Sequence, residues 1–98
     1  MKPTNPNPSK TDGPEPRFTE KQGQYLAFID SYTALHGVSP GETDMQCFFR
    51  VSPPTVHQMV LRLEEKGLIS RVPRQARSIR VLVDPACLPR LIRASSRW

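Results

Sequence analysis

The stretch "VSPPTVHQMVLRLEEKGLIS", residues 51–70, decides the fold, because two prolines stand in front of apolar residues that recur every three to four positions. The first N–H groups of a helix have no partner inside the helix, so prolines at its first two positions remove nothing that it needs. Ser52 suits the N-cap, and because Pro54 has no N–H, its hydroxyl is expected to bond Thr55. The stretch therefore predicts a rigidly started helix that ends before Gly67.

A helical wheel divides this third helix into a core side and a solvated side. The apolar side predicted to face inward comprises Val56, Met59, Val60 and Leu63. The opposite side carries Pro54, Gln58, Leu61 and Glu65, and its flanks carry Thr55, His57 and Arg62. Glutamine can pair with adenine, serine and threonine can reach base edges or phosphates, and a proline or threonine carbon can touch a thymine methyl. An ordinary solvated face is the alternative interpretation of the same residues.

Helix one is predicted to open at Thr19, because Thr19 and Gln22 have capping-box spacing and Phe18 can staple the first turn. The apolar residues that follow keep the helical period until Gly37, a typical C-terminal stop.

Helix two is predicted to begin in "SPGETDMQCFF", residues 39–49, with Ser39 as the cap and Pro40 in the first helical position. Glu42 stands three residues after Ser39 and completes a second capping box. Helices two and three thus follow one another closely.

After helix three, "LISRVP" (68–73) and "SIRVLVDP" (78–85) predict the two strands of an antiparallel hairpin. Its turn region carries four arginines before the next acid, Asp84: Arg71, Arg74, Arg77 and Arg80. Charge of this kind can simply protect a sheet edge. Residues 70–98 nevertheless contain seven arginines and one aspartate, in a chain of net charge +5, which favours a hairpin that meets phosphates. The predicted fold is mainly α with a small β-hairpin: a winged helix-turn-helix of three helices and a two- or three-stranded antiparallel wing.

The two ends of the chain differ from this central unit, residues 18–83. Residues 1–17 contain five of the eleven prolines and no aliphatic residue after Met1, which predicts a disordered tail. Residues 84–98 form a basic C-terminal tail in which Leu88, Leu91 and Ile92 indicate one short helix.

Length and composition exclude several functional classes. A 98-residue chain buries too little surface for a deep enzyme cleft, and no Ser/His/Asp, Cys/His or paired-carboxylate pattern is visible. The candidate zinc ligands lack finger-like spacing and are interpreted as buried thiols and surface imidazoles: Cys47, Cys87, His36 and His57. We therefore expect no metal, cofactor or catalysis. Without a signal segment or long apolar run, a cytoplasmic protein with no membrane partner is expected.

From Phe18 to Val83 the chain resembles the N-terminal winged helix-turn-helix domain of the LexA repressor family. The most specific matches are "FTEKQ" (18–22), "HGVSPGETDM" (36–45), "VSPPTVHQMVLRLEEKGLI" (51–69) and "RQARSIRVL" (74–82). The resemblance implies that helix three reads the DNA major groove and that the wing grips the backbone. It assigns base-side contacts to Ser52, Pro54, Thr55, His57 and Gln58, and wing contacts to Arg74 and Arg77.

The sequence departs from the family pattern at two exposed positions and at its end. Pro54 replaces a side chain that often hydrogen-bonds a base, so the operator need not be the family's usual one. Leu61 replaces a usual polar residue and can be a methyl contact, a partner contact or merely an exposed leucine. The family's C-terminal Ser-Lys self-cleaving domain is expected to be absent, because the chain ends 15 residues after Val83.

We expect sequence-specific binding of double-stranded DNA by a small transcriptional regulator, with a homodimer on a palindromic site as one arrangement. The wider set of DNA-facing candidates adds Arg62 and Arg71 to the residues named above. The competing hypothesis is a winged-helix interaction module, because fold alone does not fix function. Its docking surface would comprise Leu61 and the C-terminal apolar residues Leu88, Leu91, Ile92 and Trp98.

Overall fold

The computed structural model describes residues 18–92. The chain forms helices α1 (Glu20–His36), α2 (Glu42–Phe49) and α3 (Pro53–Glu65), then a two-stranded antiparallel sheet of β1 (Ile69–Ser70) and β2 (Arg80–Val81), and a 3₁₀ turn at Pro85–Cys87. The predicted winged helix-turn-helix architecture is confirmed. The disorder predicted for residues 1–17 and the part of the C-terminal prediction that covers 93–98 lie outside the described residues.

Helix α1 begins and ends as its sequence predicts. The N–H of Gln22 donates to Thr19 Oγ1 over 3.1 Å, and the N–H of Thr19 donates to Gln22 Oε1 over 3.0 Å, which completes the capping box. At the other end Gly37 adopts φ +80°, a left-handed conformation that glycine takes without strain, and its N–H donates to Thr33.

The N-terminal half of α1 is buried on all sides, with eight consecutive buried residues from Gln22 to Ile29. Core residues cover one side, and the segment after the hairpin covers the other, where Leu88 and Leu91 pack against the core. Gly23 permits this close approach, since a Cβ there would lie 2.9 Å from the Phe18 ring and 3.0 Å from Pro89.

The short helix predicted through Leu88, Leu91 and Ile92 was wrong over the described residues 85–92. Within these residues the only helical segment is the 3₁₀ helix at Pro85–Cys87, and the chain from Leu88 to Ile92 has no regular secondary structure. The reason is tertiary: Gln24 Nε2 donates to the carbonyl of Arg90 over 2.9 Å, and the N–H of Ile92 donates to Gln24 Oε1 over 2.7 Å. The Gln24 side chain thus hydrogen-bonds the Arg90 carbonyl and the Ile92 N–H, which would otherwise be available for hydrogen bonds within a helix.

Helix α2 begins at Glu42 rather than after Ser39, so the predicted cap was wrong. Gly41 occupies the N-cap, and its N–H donates to Asp44 Oδ2 over 2.8 Å. Ser39 is instead buried, and its hydroxyl accepts the N–H of Ile79 from the hairpin over 3.1 Å. A contact 40 residues away therefore competes with the local capping motif and prevails.

The core lies where the three helices meet the hairpin. Tyr25 of α1 stacks on Phe49 of α2 with ring centroids 4.1 Å apart. Helix α3 contributes three fully buried residues and the hairpin contributes three more: Val56, Val60, Leu63, Leu68, Ile69 and Ile79. Burial of each such side chain stabilises the fold by about 1.5–3 kcal/mol, so the apolar side of α3 is fixed inward.

The hairpin pairs Ile69 with Val81 and Ser70 with Arg80. Gly67, at φ +75°, ends the turn after α3 as predicted, and the N–H of Leu82 extends the ladder to the carbonyl of Leu68 over 2.9 Å. The strands are short, and side chains rather than further ladder bonds organise the loop between them.

The two cysteines are exposed, so the prediction of buried thiols was wrong for both Cys47 and Cys87. The prediction of surface imidazoles is confirmed, since His36 and His57 are exposed. The solvated side of α2 and the 3₁₀ turn place the thiols outside the core, a placement that composition does not reveal.

Candidate nucleic-acid interface

The solvated side of α3 is the first part of the candidate site. The predicted division of this helix is confirmed: Val56, Val60 and Leu63 are fully buried, and Met59 is half-buried. The predicted outward residues are all exposed, namely Pro54, Thr55, His57, Gln58, Leu61, Arg62 and Glu65. Hydroxyl, imidazole, amide and guanidinium groups therefore share one accessible surface.

The start of α3 is built as predicted. Ser52 is the N-cap, Pro53 and Pro54 are the first two helical residues, and the N–H of Thr55 donates to Ser52 Oγ over 3.4 Å. The two hydroxyl oxygens of Ser52 and Thr55 lie only 2.9 Å apart and hydrogen-bond each other. The long backbone bond is weak, so this hydroxyl pair contributes to the order of the turn.

His57 is engaged by a neighbouring helix. Its Nδ1 lies 3.3 Å from Glu42 Oε2 at the start of α2, and both side chains remain partly exposed. The contact joins the two helices of the helix-turn-helix unit at the surface. It also places a carboxylate beside α3, which the sequence of α3 alone does not indicate.

A shallow cleft runs between α1 and the solvated side of α3. Its lining comprises Gln22, Pro54, Thr55, Gln58, Met59 and Arg62. Lys66 Nζ donates to Gln22 Oε1 over 3.0 Å and so joins the end of α3 to the start of α1. The sequence did not predict that Gln22 and Lys66 lie at this surface. Its pattern indicates only a capping role for Gln22, and the two residues are 44 positions apart.

Residues 72–78, within the loop that joins the two strands, are the wing, and the hydroxyl of Ser78 organises it. Ser78 Oγ accepts the N–H of Val72 over 2.9 Å and lies 2.9 Å from the carbonyl oxygen of Gln75. The N–H of Gln75 donates to the carbonyl of Val72, which closes a turn. Arg74 and Arg77 adopt φ +66° and +58°, in the left-handed region that non-glycine residues seldom occupy. The loop is thus tightly folded.

The four arginines of the hairpin are not equivalent. Arg71 Nε donates to Glu64 Oε1 over 3.0 Å, and Arg77 Nη1 lies 3.1 Å from Asp44 Oδ2. Although no acid stands among these arginines before Asp84 in the sequence, acids from α3 and α2 come close to two of them in the fold. The side chains of Arg74 and Arg80 are exposed and have no hydrogen-bond or ion-pair partner among residues 18–92.

Hydrogen bonding and charge make Arg77 the most strongly held of these side chains. It also donates to Tyr32 Oη over 3.1 Å and to the carbonyl of Ser39 over 3.3 Å. The hydrogen bond to Tyr32 raises the pKa of Arg77 most, and the nearby Asp44 carboxylate raises it further. Arg77 stays charged, and its charge is compensated by Asp44.

No group of three or more histidine, cysteine or carboxylate side chains is placed to hold a metal ion within residues 18–92. Likewise, no helix of the described part of the chain is long and apolar enough to cross a membrane.

Residues 16–78 match the model of the LexA DNA binding domain family. The chain is 41% identical over 63 residues to the LexA repressor of Thermosipho melanesiensis, an alignment that covers 64% of this chain and 32% of that protein. It is 40% identical over 68 residues to the LexA repressor of Thermosipho africanus (69% and 34% covered) and 38% identical over 72 residues to that of Rhodospirillum rubrum (72% and 29% covered). The chain thus spans about a third of the length of the curated relatives that it matches.

Proposed function

From the premise that the chain belongs to the LexA DNA-binding domain family, we propose that it binds double-stranded DNA in a sequence-specific manner as a small transcriptional regulator. Helix α3 enters the major groove, which is wide enough for a helix, and the wing grips the backbone or the minor groove. The proposed domain boundaries are residues 18–83 for this unit, flanked by the tails 1–17 and 84–98.

One observation carries this proposal: the solvated side of α3 from Ser52 to Arg62 presents hydrogen-bonding groups and a cation and has no carboxylate of its own. A carboxylate on a groove-facing helix is repelled by phosphates, whereas neutral donors and acceptors suit base edges. The buried side of the same helix fixes the direction in which these groups point.

Each side chain has a proposed role at this surface. Gln58 pairs with a base edge, and its amide suits adenine N6 and N7. Ser52 and Thr55 reach a phosphate or a base edge, while Pro54 offers carbon to a thymine methyl. Further residues proposed for the DNA-facing surface are His57, Arg62, Arg71, Arg74 and Arg77, the last as a wing residue whose charge Asp44 already compensates. Among the wing residues, Arg74 has no protein partner within 18–92 and is the best direct phosphate contact.

The competing function, docking to a protein through Leu61 and the C-terminal apolar residues, has less support. Leu88 and Leu91 pack against the core, which removes two of its proposed contacts. Leu61 and Ile92 are 37% and 38% exposed, and single exposed apolar side chains of this kind are ordinary on protein surfaces.

A palindromic site bound by two copies is the proposed arrangement, since a single small module buries little DNA surface and gains specificity by pairing. No cofactor and no catalytic step is part of the proposal.

The decisive experiment is selection of bound sequences from random duplex DNA with the purified chain, repeated with Gln58→Ala as the matched variant. We expect one enriched motif, palindromic if two copies bind, and a loss of preference at one base pair in the variant. Failure to enrich any motif, together with no binding to duplexes even at low salt, would contradict DNA binding and favour the docking function.

A further inference from the structure

Arg77 joins the wing to both helices that precede α3. Its Nη1 lies within hydrogen-bond distance of three acceptors: Tyr32 Oη on α1, the carbonyl oxygen of Ser39 between the helices, and Asp44 Oδ2 on α2. All three contacts are made by this one nitrogen, which lies one bond farther from the backbone than the ammonium nitrogen of a lysine would. The C-terminal end of the wing is therefore held by three contacts of Arg77.

A further hydrogen bond fixes the same end of the wing. The N–H of Ile79, two residues after Arg77, donates to the buried hydroxyl of Ser39 over 3.1 Å. Ser39 thus binds the wing through both its hydroxyl and its carbonyl oxygen. Asp44 is itself fixed, because the same Oδ2 that faces Arg77 accepts the N-cap N–H of Gly41. The anchor of the wing is part of the structure that starts α2.

Arg74 has none of these contacts. It lies three residues away in the same loop, and although both arginines are exposed, the Arg74 side chain has no partner among residues 18–92. Its charge is available to an external anion, whereas the charge of Arg77 is already compensated by Asp44. Neutralisation of a phosphate by a free cation releases counterions, and a cation that is paired within the protein releases fewer.

We propose that Arg77 is a positioning residue for DNA binding: it clamps the wing to α1 and α2 so that Arg74, and not Arg77 itself, meets a backbone phosphate. The proposal rests on the DNA-binding function proposed above. The wing is preorganised in the free protein, and the cost of ordering it is not incurred on binding.

A double-mutant cycle on salt dependence separates positioning from direct contact. Arg74→Ala, Arg77→Ala and the double variant are titrated with one selected duplex at several salt concentrations, and the slopes of log Kd against log salt are compared. If Arg77 acts through Arg74, the double variant loses no more slope than Arg74→Ala, about 0.9 in total. Two independent phosphate contacts would instead lose about 1.8 together, and that result would overturn the proposal.

Lysine substitutions provide the matched control. A phosphate contact tolerates lysine, so Arg74→Lys is expected to bind within about twofold of the wild type. Arg77→Lys keeps the charge, but its ammonium nitrogen ends one bond short of the position of Nη1 and cannot reach all three acceptors, so binding is expected to weaken toward the level of Arg77→Ala. Wild-type binding by Arg77→Lys would contradict a positioning role.

Hydrogen exchange in the free chain distinguishes failure of the clamp from failure of DNA binding. Arg77→Ala is expected to speed exchange of the Ile79 and Val72 amides at least tenfold, while Arg74→Ala leaves both unchanged. Unchanged exchange in Arg77→Ala overturns the proposal even if DNA is bound. Faster exchange in a chain that binds no duplex confirms the clamp and rejects only the proposed function.

Discussion

The backbone N–H of Ile92 donates to the side-chain oxygen of Gln24 over 2.7 Å, although the two residues are 68 positions apart. The amide nitrogen of the same side chain donates to the carbonyl of Arg90. Gln24 is 1% exposed, so both bonds are formed away from water. One buried side chain therefore holds the C-terminal segment on α1.

Gln24→Ala is expected to destabilise the fold by about 2–4 kcal/mol, because two buried hydrogen bonds are lost and their backbone partners become unsatisfied. Urea denaturation gives the free energy of unfolding. Gln75→Ala, an exposed glutamine in the wing, is the matched control, with an expected change within about 0.5 kcal/mol. Equal, small effects of the two substitutions would show that the C-terminal segment does not depend on Gln24.

Ser52→Ala removes the cap of α3 and is expected to cost about 0.5–1 kcal/mol, the lower part of the usual range, because the bond to the Thr55 N–H is long at 3.4 Å. Ser52→Asp supplies another capping acceptor and is expected to recover most of that stability. Thermal unfolding of the three proteins checks the prediction. An Ala variant as stable as the wild type would remove Ser52 from its role as cap.

Tyr25→Phe is expected to leave stability at neutral pH unchanged or to raise it by up to about 1 kcal/mol. The ring remains stacked on Phe49, and the buried Tyr25 hydroxyl has no hydrogen-bond partner among residues 18–92, so only an unsatisfied polar group is removed. Urea denaturation at pH 7 measures the difference. A clear loss of stability in the Phe variant would mean that the hydroxyl has a partner.

The same substitution has a consequence at alkaline pH. Burial raises the pKa of Tyr25 above its usual value, so the folded state keeps the proton while the unfolded chain releases it above about pH 10. The free energy of unfolding is therefore unaffected by this titration below pH ~10 and falls as the pH rises toward the pKa of Tyr25 in the folded state. Between pH 9 and 11 the wild type should lose more stability than Tyr25→Phe, and parallel curves would contradict this.

Gln58→Ala and Arg74→Ala are expected to separate base recognition from backbone contact. Gln58→Ala removes a bidentate base contact and is expected to weaken the free energy of binding by about 1–3 kcal/mol on the selected duplex and by little on a scrambled one. The slope of log Kd against log salt should be unchanged. Arg74→Ala should weaken binding to both duplexes alike and make the slope shallower by about one. Competition titrations of both variants on both duplexes measure these effects. Equal losses on the two duplexes for Gln58→Ala would exclude base recognition through that residue.

Local motifs predicted the parts of the fold whose partners are near in sequence. The capping box of Thr19 and Gln22, the stop at Gly37 and the proline start of α3 all depend on residues within about four positions, and all were confirmed. The inward side of α3 followed from the period of its apolar residues, because burial of those residues outweighs local preference.

The failures concern residues whose partners are distant. Ser39 has the form of a helix cap, but its hydroxyl bonds Ile79 from the hairpin. Four arginines of the hairpin region precede the next acid, Asp84, yet Arg71 and Arg77 pair with acids of α3 and α2. No local pattern encodes such contacts, since they depend on how the elements pack. The α3 residues of the proposed site could therefore be predicted from the sequence. Which arginines of the hairpin are paired could be learned only from the folded structure.

The two prolines at the start of α3 have a consequence for how this surface can change during evolution. Many helix N-termini bind phosphate through free backbone N–H groups, which every sequence supplies alike. Here Pro53 and Pro54 have none, and the N–H of Thr55 is taken by Ser52, so the first three helical positions offer no backbone donor to a ligand. Any recognition by this end of the helix must come from side chains. Single substitutions at exposed positions such as Gln58 can then redirect the preferred sequence while the capped, proline-stiffened backbone stays in place.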